Sequence, residues 1–182
     1  GLEKGKYILL SAHREENIDN EENFMSLMTA VNNIAEHYGM PIIYSTHPRS
    51  NKYIEKRGFQ FHPLVRSLKP FGFLDYNKLQ MNSYCVLSDS GTLSEESAML
   101  GFAGVLIRTS TERPEVLDKG SVVIGGITGR DVEQALDLAV AMRDNREEVV
   151  MAEDYADTNV SVKVVKLIQS YTEIVNKTVW GK

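Results

Sequence analysis

Short apolar runs of strand length recur along this chain, each followed by a stretch whose apolar residues fall at helical spacing. That alternation restricts the fold more than any other feature. The runs are Tyr7 to Ala12, MPIIYST at 40–46, Leu64 to Leu68, Tyr84 to Ser88, Gly104 to Ile107 and Ser121 to Ile124. Strands alternating with helices in this way predict repeated βαβ units, hence an α/β fold with a mostly parallel sheet. Asp19 and Glu22 stand in capping-box spacing ahead of Phe24, Leu27, Met28, Val31, Ile34, Ala35 and Tyr38, and Gly39 with Pro41 ends that helix. Shorter helices are expected near Asn51 to Lys56 and from about Leu93. Thr128 and Asp131 introduce another, with Val132, Ala135, Leu136, Ala139 and Met142 on one face.

A polar segment rich in Asp and Glu then leads to a final helix, on which Val160, Val164, Leu167, Ile168, Tyr171, Ile174 and Val175 are apolar. Trp180 follows it, and a large aromatic there is exposed unless something such as another domain covers it. With 182 residues, 42% hydrophobic and 25% charged, the chain has material for one well-filled domain. A net charge of −5 without any Lys/Arg-rich run argues against a nucleic-acid partner. The single cysteine, Cys85, lies in the apolar run YCVL and reads as core. No stretch is apolar for long enough to cross a bilayer and no signal-peptide layout opens the chain, so a cytoplasmic location without membrane attachment is expected.

Open α/β sheets bind ligands beyond the C-terminal ends of their strands, which directs attention to three loops. In SAHREEN, at 11–17, His13 and Arg14 either face an anion or are solvated loop residues. In the loop from Ser88 to Glu96, Ser90 and Gly91 precede a helix start, where free backbone N–H groups favour an anion such as phosphate. Glu95 and Glu96 suit the helix dipole but would repel a phosphate set against them, so one of them must turn elsewhere. A ribose diol beside the phosphates would employ it. The plainer reading is a capped helix whose glutamates complement the dipole. In RTSTERPE, at 108–115, Arg108 and Arg113 could neutralise a diphosphate, Pro114 opens a short helix, and an internal Arg–Glu pair is the favoured alternative. His47 reads as a rim residue, while His37 and His62 have no catalytic company. Metal-ligand spacings, the glycine-rich dinucleotide pattern and the Walker pattern are absent, so neither metal nor cofactor is expected.

Together SAHREEN, STHPR, LSDSGTLSEES and IRTSTERPE resemble the C-terminal half of the non-hydrolysing UDP-N-acetylglucosamine 2-epimerases. HPLVRSLKPFGFLDYNKLQM and the ending NVSVKVVKLIQSYTEIVNKTVW resemble the subgroup that makes UDP-N-acetyl-L-fucosamine. The resemblance implies a glycosyltransferase-B-like enzyme of two Rossmann-like domains, each a parallel sheet with helices on both faces. This chain, 1–182, would be the UDP-binding second domain, with the helical region 155–182 packing towards an N-terminal domain and the full enzyme a homodimer.

The substrate implied is a UDP-N-acetylhexosamine, inverted at C2 by elimination and re-addition of UDP in capsule or O-antigen precursor synthesis. By the same resemblance His13 is the catalytic candidate near the diphosphate and departing oxygen, and Arg14 and Arg113 approach the sugar-diphosphate. Ser90 with Gly91 and Thr92 binds phosphate, Glu96 binds the ribose, and Tyr76 stacks on uracil. The acid/base carboxylates would come chiefly from the other domain, leaving this chain alone with little or no turnover. One departure from the pattern is Glu15, where many members carry a second arginine after the histidine; it puts further diphosphate contacts and a regulatory sugar site in doubt. A glycosyltransferase donor domain, or a nucleotide-sugar-binding module without chemistry, would share these motifs. An epimerase needs no acceptor and exchanges solvent deuterium into C2, which a transferase does not.

Overall fold

The computed structural model describes residues 1–145 and 151–182, in two compact units, Gly1–Met151 and Ala152–Lys182. All six expected apolar runs form strands, β1 (Ile8–Ser11), β2 (Ile42–Ser45), β3 (Val65–Leu68), β4 (Cys85–Ser88), β5 (Gly104–Leu106) and β6 (Val123–Ile124). They make one parallel sheet in the order β3-β2-β1-β4-β5-β6. The order reverses between β1 and β4, which pair directly with Ile8 opposite Cys85 and Ser11 opposite Ser88. A reversal of this kind opens a crevice at the C-terminal ends of the two strands, because their following connections leave toward opposite faces.

The helices of the first unit are α1 (Glu15–Ile18), α2 (Glu21–Tyr38), α3 (Pro48–Arg57), α4 (Phe73–Asn82), α5 (Leu93–Leu100), α6 (Pro114–Lys119) and α7 (Gly129–Asp144). Period-two alternation sorts the strand side chains into two buried layers. Ile8, Leu10, Ile42, Tyr44, Cys85, Leu87 and Val105 pack with Phe24, Leu27 and Val31 of α2 and Val132 and Leu136 of α7. On the other face Leu9, Ile43, Val86 and Leu106 pack with Leu93 of α5 and, in part, Tyr76 and Leu79 of α4. Burying one Leu or Ile side chain contributes about 1.5–3 kcal/mol, so the central strands, apolar on both faces, anchor the unit.

Two local expectations change. The cap of α2 is Asn20, whose side chain accepts from the Asn23 N–H at 3.0 Å, and not Asp19. Asp19 instead ends α1 and holds Arg49 through Nε at 2.9 Å and Nη2 at 2.6 Å. The SAHREEN stretch is not all loop, since α1 begins at Glu15. Thr128 caps α7 as expected, and Gly39 closes α2 in the left-handed conformation. His37 Nδ1 lies 2.7 Å from Glu133, and the Tyr38 hydroxyl donates to Asp137, which fastens the end of α2 to α7.

The second unit holds α8 (Glu153–Ala156) and α9 (Val160–Thr178). The final helix is therefore shorter than 155–182. Its apolar residues recur at helical spacing, and within that unit no further element covers them. Part of the Asp/Glu-rich segment before it, 146–150, lies outside the described residues. No helix among the described residues is long and apolar enough to cross a membrane.

Candidate functional site at the strand reversal

Asp89, the first residue beyond β4, is fully buried and ties the two strand exits together. Its Oδ2 accepts the backbone N–H groups of His13 and Arg14, each at 2.9 Å, and the Asn17 side-chain amide at 3.2 Å. The same amide donates to the Ile107 carbonyl at 3.1 Å, drawing the end of β5 into the cluster. The Ala12 carbonyl accepts from the Tyr44 hydroxyl at 2.8 Å and the Ser50 hydroxyl at 2.6 Å. With these groups satisfied the backbone at the end of β1 is fixed, and His13 and Arg14 emerge from a rigid base.

His13 Nδ1 lies 3.4 Å from Asp89 Oδ1, and its ring centroid is 5.4 Å from that of His47. His47 is an exposed rim residue, as the sequence suggests. It caps α3, its Nδ1 accepting from the Arg49 N–H at 3.1 Å.

Across the crevice, the turn after β4 is braced by the Ser90 N–H donating to the Ser88 hydroxyl at 3.1 Å and by a 3.0 Å bond between the Ser90 and Thr92 hydroxyls. Thr92 stands at the cap of α5 without a side-chain capping bond, and the N–H groups of Gly91 and Thr92 have no acceptor among the described residues. Two free N–H groups beside two hydroxyls at a helix start suit a phosphate. Gly91 keeps the approach close. A Cβ there would lie 3.4 Å from Glu112 Oε1 and 3.8 Å from both Nε and Nη2 of Arg113.

Both glutamates of α5 turn aside. Glu95 pairs with Arg113 Nη2 at 2.9 Å, and Glu96 Oε2 accepts from the buried Gln80 amide at 2.6 Å, leaving Oε1 of Glu96 for a further donor. Tyr76 is largely buried between Ser11 and the second core layer, and burial pushes its hydroxyl up to about 12. The sequence reading missed Asp89 and Gln80. The only signal for Asp89 was a carboxylate directly after a buried strand. Gln80 gave none, being separated from Glu96 by sixteen positions.

Every arginine of the crevice has an acidic partner. Arg108 is buried and pairs with Glu16 at 3.1 Å and Glu112 at 2.7 Å, so the internal pairing favoured for this loop is what forms. Arg14 lies 3.3 Å from Glu112, and Glu15, the departure noted in the sequence, reaches Arg49 at 2.9 Å. The hydrogen bond from Arg108, helped by Arg14, draws the Glu112 carboxyl down to about 2. Glu112 therefore places a carboxylate beside Gly91, where an anionic ligand would also approach. No group of three or more His, Cys, Asp or Glu among the described residues is placed to hold a metal ion.

Residues 2–169 match the family model described as UDP-N-acetylglucosamine 2-epimerase. A UDP-N-acetylglucosamine 2-epimerase from Methanococcus maripaludis is 38% identical over 125 residues, covering 66% of this chain and 34% of the relative. The structure of UDP-N-acetylglucosamine 2-epimerase from Rickettsia bellii superposes with a TM-score of 0.79 at 33% identity, over 100% of this chain and 48% of that one. The Methanocaldococcus jannaschii enzyme in complex with UDP-GlcNAc and UDP gives a TM-score of 0.78 at 25% identity, over 90% of this chain and 45% of that one. The chain thus spans less than half the length of these relatives.

Proposed function

From its membership of the UDP-N-acetylglucosamine 2-epimerase family, we propose that this chain is the UDP-sugar-binding half of a cytoplasmic, homodimeric enzyme inverting C2 of a UDP-N-acetylhexosamine for surface-polysaccharide precursors. The observation that carries the proposal is the crevice between β1 and β4. Unpartnered N–H groups of Gly91 and Thr92 lie beside the Ser90 hydroxyl, with His13 and Arg14 opposite and Glu96 one turn into α5. Those groups match the parts of a nucleoside diphosphate in order, N–H and hydroxyl donors for the phosphates and a carboxylate for the ribose diol. The solved relative that carries UDP-GlcNAc and UDP supports the same ligand class.

Elimination across C1–C2 needs a base for the C2 proton and stabilisation of the departing diphosphate. His13, Arg14 and the α5 start serve the departing group, and an N-terminal domain serves the proton and receives the apolar face of α9. Tyr76 and Arg113 complete the ligand contacts, the tyrosine toward the base and the arginine toward the sugar-diphosphate.

Calorimetry with UDP tests the site. Ser90→Ala and Glu96→Ala are each expected to weaken binding by about 1.5–3 kcal/mol, the worth of a hydrogen bond to a charged group. Unchanged affinity in both would place UDP elsewhere. In the full enzyme, solvent deuterium appearing at C2 without any acceptor separates epimerisation from glycosyl transfer.

A further inference from the structure

His13 and Asp89 are joined twice. The Asp89 carboxylate accepts the backbone N–H of His13 on Oδ2 at 2.9 Å, and its other oxygen, buried and without a hydrogen-bond partner, faces His13 Nδ1 at 3.4 Å. Three donors already occupy Oδ2, from His13, Arg14 and Asn17, so the direction of Oδ1 is fixed by the same contacts that fix the strand exit. A buried carboxylate oxygen lacking a donor is costly, and the imidazole Nδ1 that faces it can supply one. The ring is confined on another side by His47, 5.4 Å away at an interplanar angle of 33°. His13 also lines an open concavity with Arg14, Glu15, Glu16, His47 and Arg49, and with Nδ1 toward Asp89 it is Nε2 that remains for a ligand.

We propose that Asp89 is the positioning residue for His13, holding the imidazole in the Nδ1–H form so that Nε2 is presented to the ligand's diphosphate. This rests on the reading of the crevice as a UDP site. A ring nitrogen's protonation is set by the hydrogen bond that the other nitrogen makes. With the Nδ1 edge held by Asp89, the Nε2 edge is the one left for a phosphate oxygen, and a proton carried there donates to the anion in a charge-assisted bond. The other histidines supply internal references. His37 Nδ1 faces Glu133 at 2.7 Å and should share the Nδ1–H form. His47 and His62 accept backbone N–H groups on Nδ1, from Arg49 at 3.1 Å and Leu64 at 3.3 Å, and must carry the proton on Nε2 when neutral.

Asp89→Asn isolates the effect. The Asn side-chain oxygen can still accept the three donors on the Oδ2 side, while its NH2 group now faces Nδ1 and forces the proton to Nε2. Long-range 1H–15N correlation spectra at alkaline pH read the tautomers directly, with His13→Gln assigning the signals. The expected result is Nδ1–H for His13 in the wild-type chain and a switch to Nε2–H in Asp89→Asn, with His37, His47 and His62 unchanged. Wild-type His13 in the Nε2–H form, or no switch in the variant, overturns the proposal. If Asp89→Asn does not fold, the wild-type tautomer decides alone.

Titration with UDP supplies the functional half. His13→Gln should weaken binding on the order of tenfold. Asp89→Asn, which removes the ring's carboxylate anchor but leaves an Nε2–H donor, should weaken it less, and the double variant should bind no more weakly than His13→Gln alone. Additive losses overturn the coupling. A wild-type chain with the expected tautomer and no affinity for UDP would overturn the site assignment while leaving the orientation by Asp89 in place.

Discussion

Glu112 is the residue whose role depends most on what enters the crevice. Its carboxylate pairs with Arg108 and Arg14 and lies beside Gly91, so a diphosphate has to compete with it for Arg14. Glu112→Gln keeps an acceptor for Arg108 but removes the competing charge. UDP should then bind about two- to fivefold more tightly, the scale of a solvent-exposed ion pair. Weaker binding by calorimetry would show that Glu112 helps to build the site.

The same carboxyl has a pH signature. Its pKa is drawn down from 4.5 to about 2 by the Arg108 hydrogen bond first and Arg14 after it. A depressed carboxyl stabilises the fold fully above its unfolded value, and that contribution fades as pH falls from about 4.5 through about 2. The melting-temperature advantage of wild type over Glu112→Gln should therefore shrink across that window. An advantage as large at about pH 2 as at about pH 6 would contradict it.

Elements, rather than single residues, carried most of what could be read from the sequence. All six strands stand where the apolar runs are. The inner strands β1, β2, β4 and β5, covered on both faces, leave a nearly continuous apolar record, whereas the edge strands β3 and β6 are only partly covered. Capping was legible at Thr128 but shifted by one residue at Asn20, since Asp19 was drawn away by Arg49, thirty positions distant. The four-residue helix α1 was not legible, being too short to show a period. At the start of α5, local chemistry singled out Ser90 and Gly91 and left Glu95 and Glu96 undistinguished, and only the family resemblance chose Glu96. The Asp89 contacts to His13 and Arg14 join residues more than seventy positions apart, and no local pattern records them.

One element contact makes a clear stability prediction. A Cβ on Gly125, just past β6, would sit 2.6 Å from Val105 Cγ1 and 3.0 Å from the Ala135 Cβ. Val105 is fully buried and β-branched, and Ala135 belongs to α7, so neither side can give way without moving β5 or the helix. Gly125→Ala should cost about 1–3 kcal/mol in urea unfolding, the usual penalty for overpacking. A neutral result would mean that α7 slides on the sheet.

At the scale of the whole molecule, the question is whether the first unit opens in pieces or all at once. Cys85 can answer it without mutation. It is the one cysteine in the chain, it lies in β4 between β1 and β5, it has no exposed surface, and burial pushes its thiol up to about 12. A disulfide reagent reaches it only after the layer of α2 and α7 has left the sheet, because Cys85 points into the cluster that those helices cover. The reversal of strand order puts β4 at the centre, so exposing it breaks the pairing that also shapes the crevice. Labelling in native buffer should therefore be slower than labelling of the unfolded chain by the full global unfolding factor, and the free energy from labelling should equal that from urea denaturation. UDP at a hundred times its Kd should slow it by about a further hundredfold, through linkage between binding and folding. Labelling that outpaces global unfolding, or that ignores UDP, would mean that the α2–α7 layer detaches while the crevice stays formed.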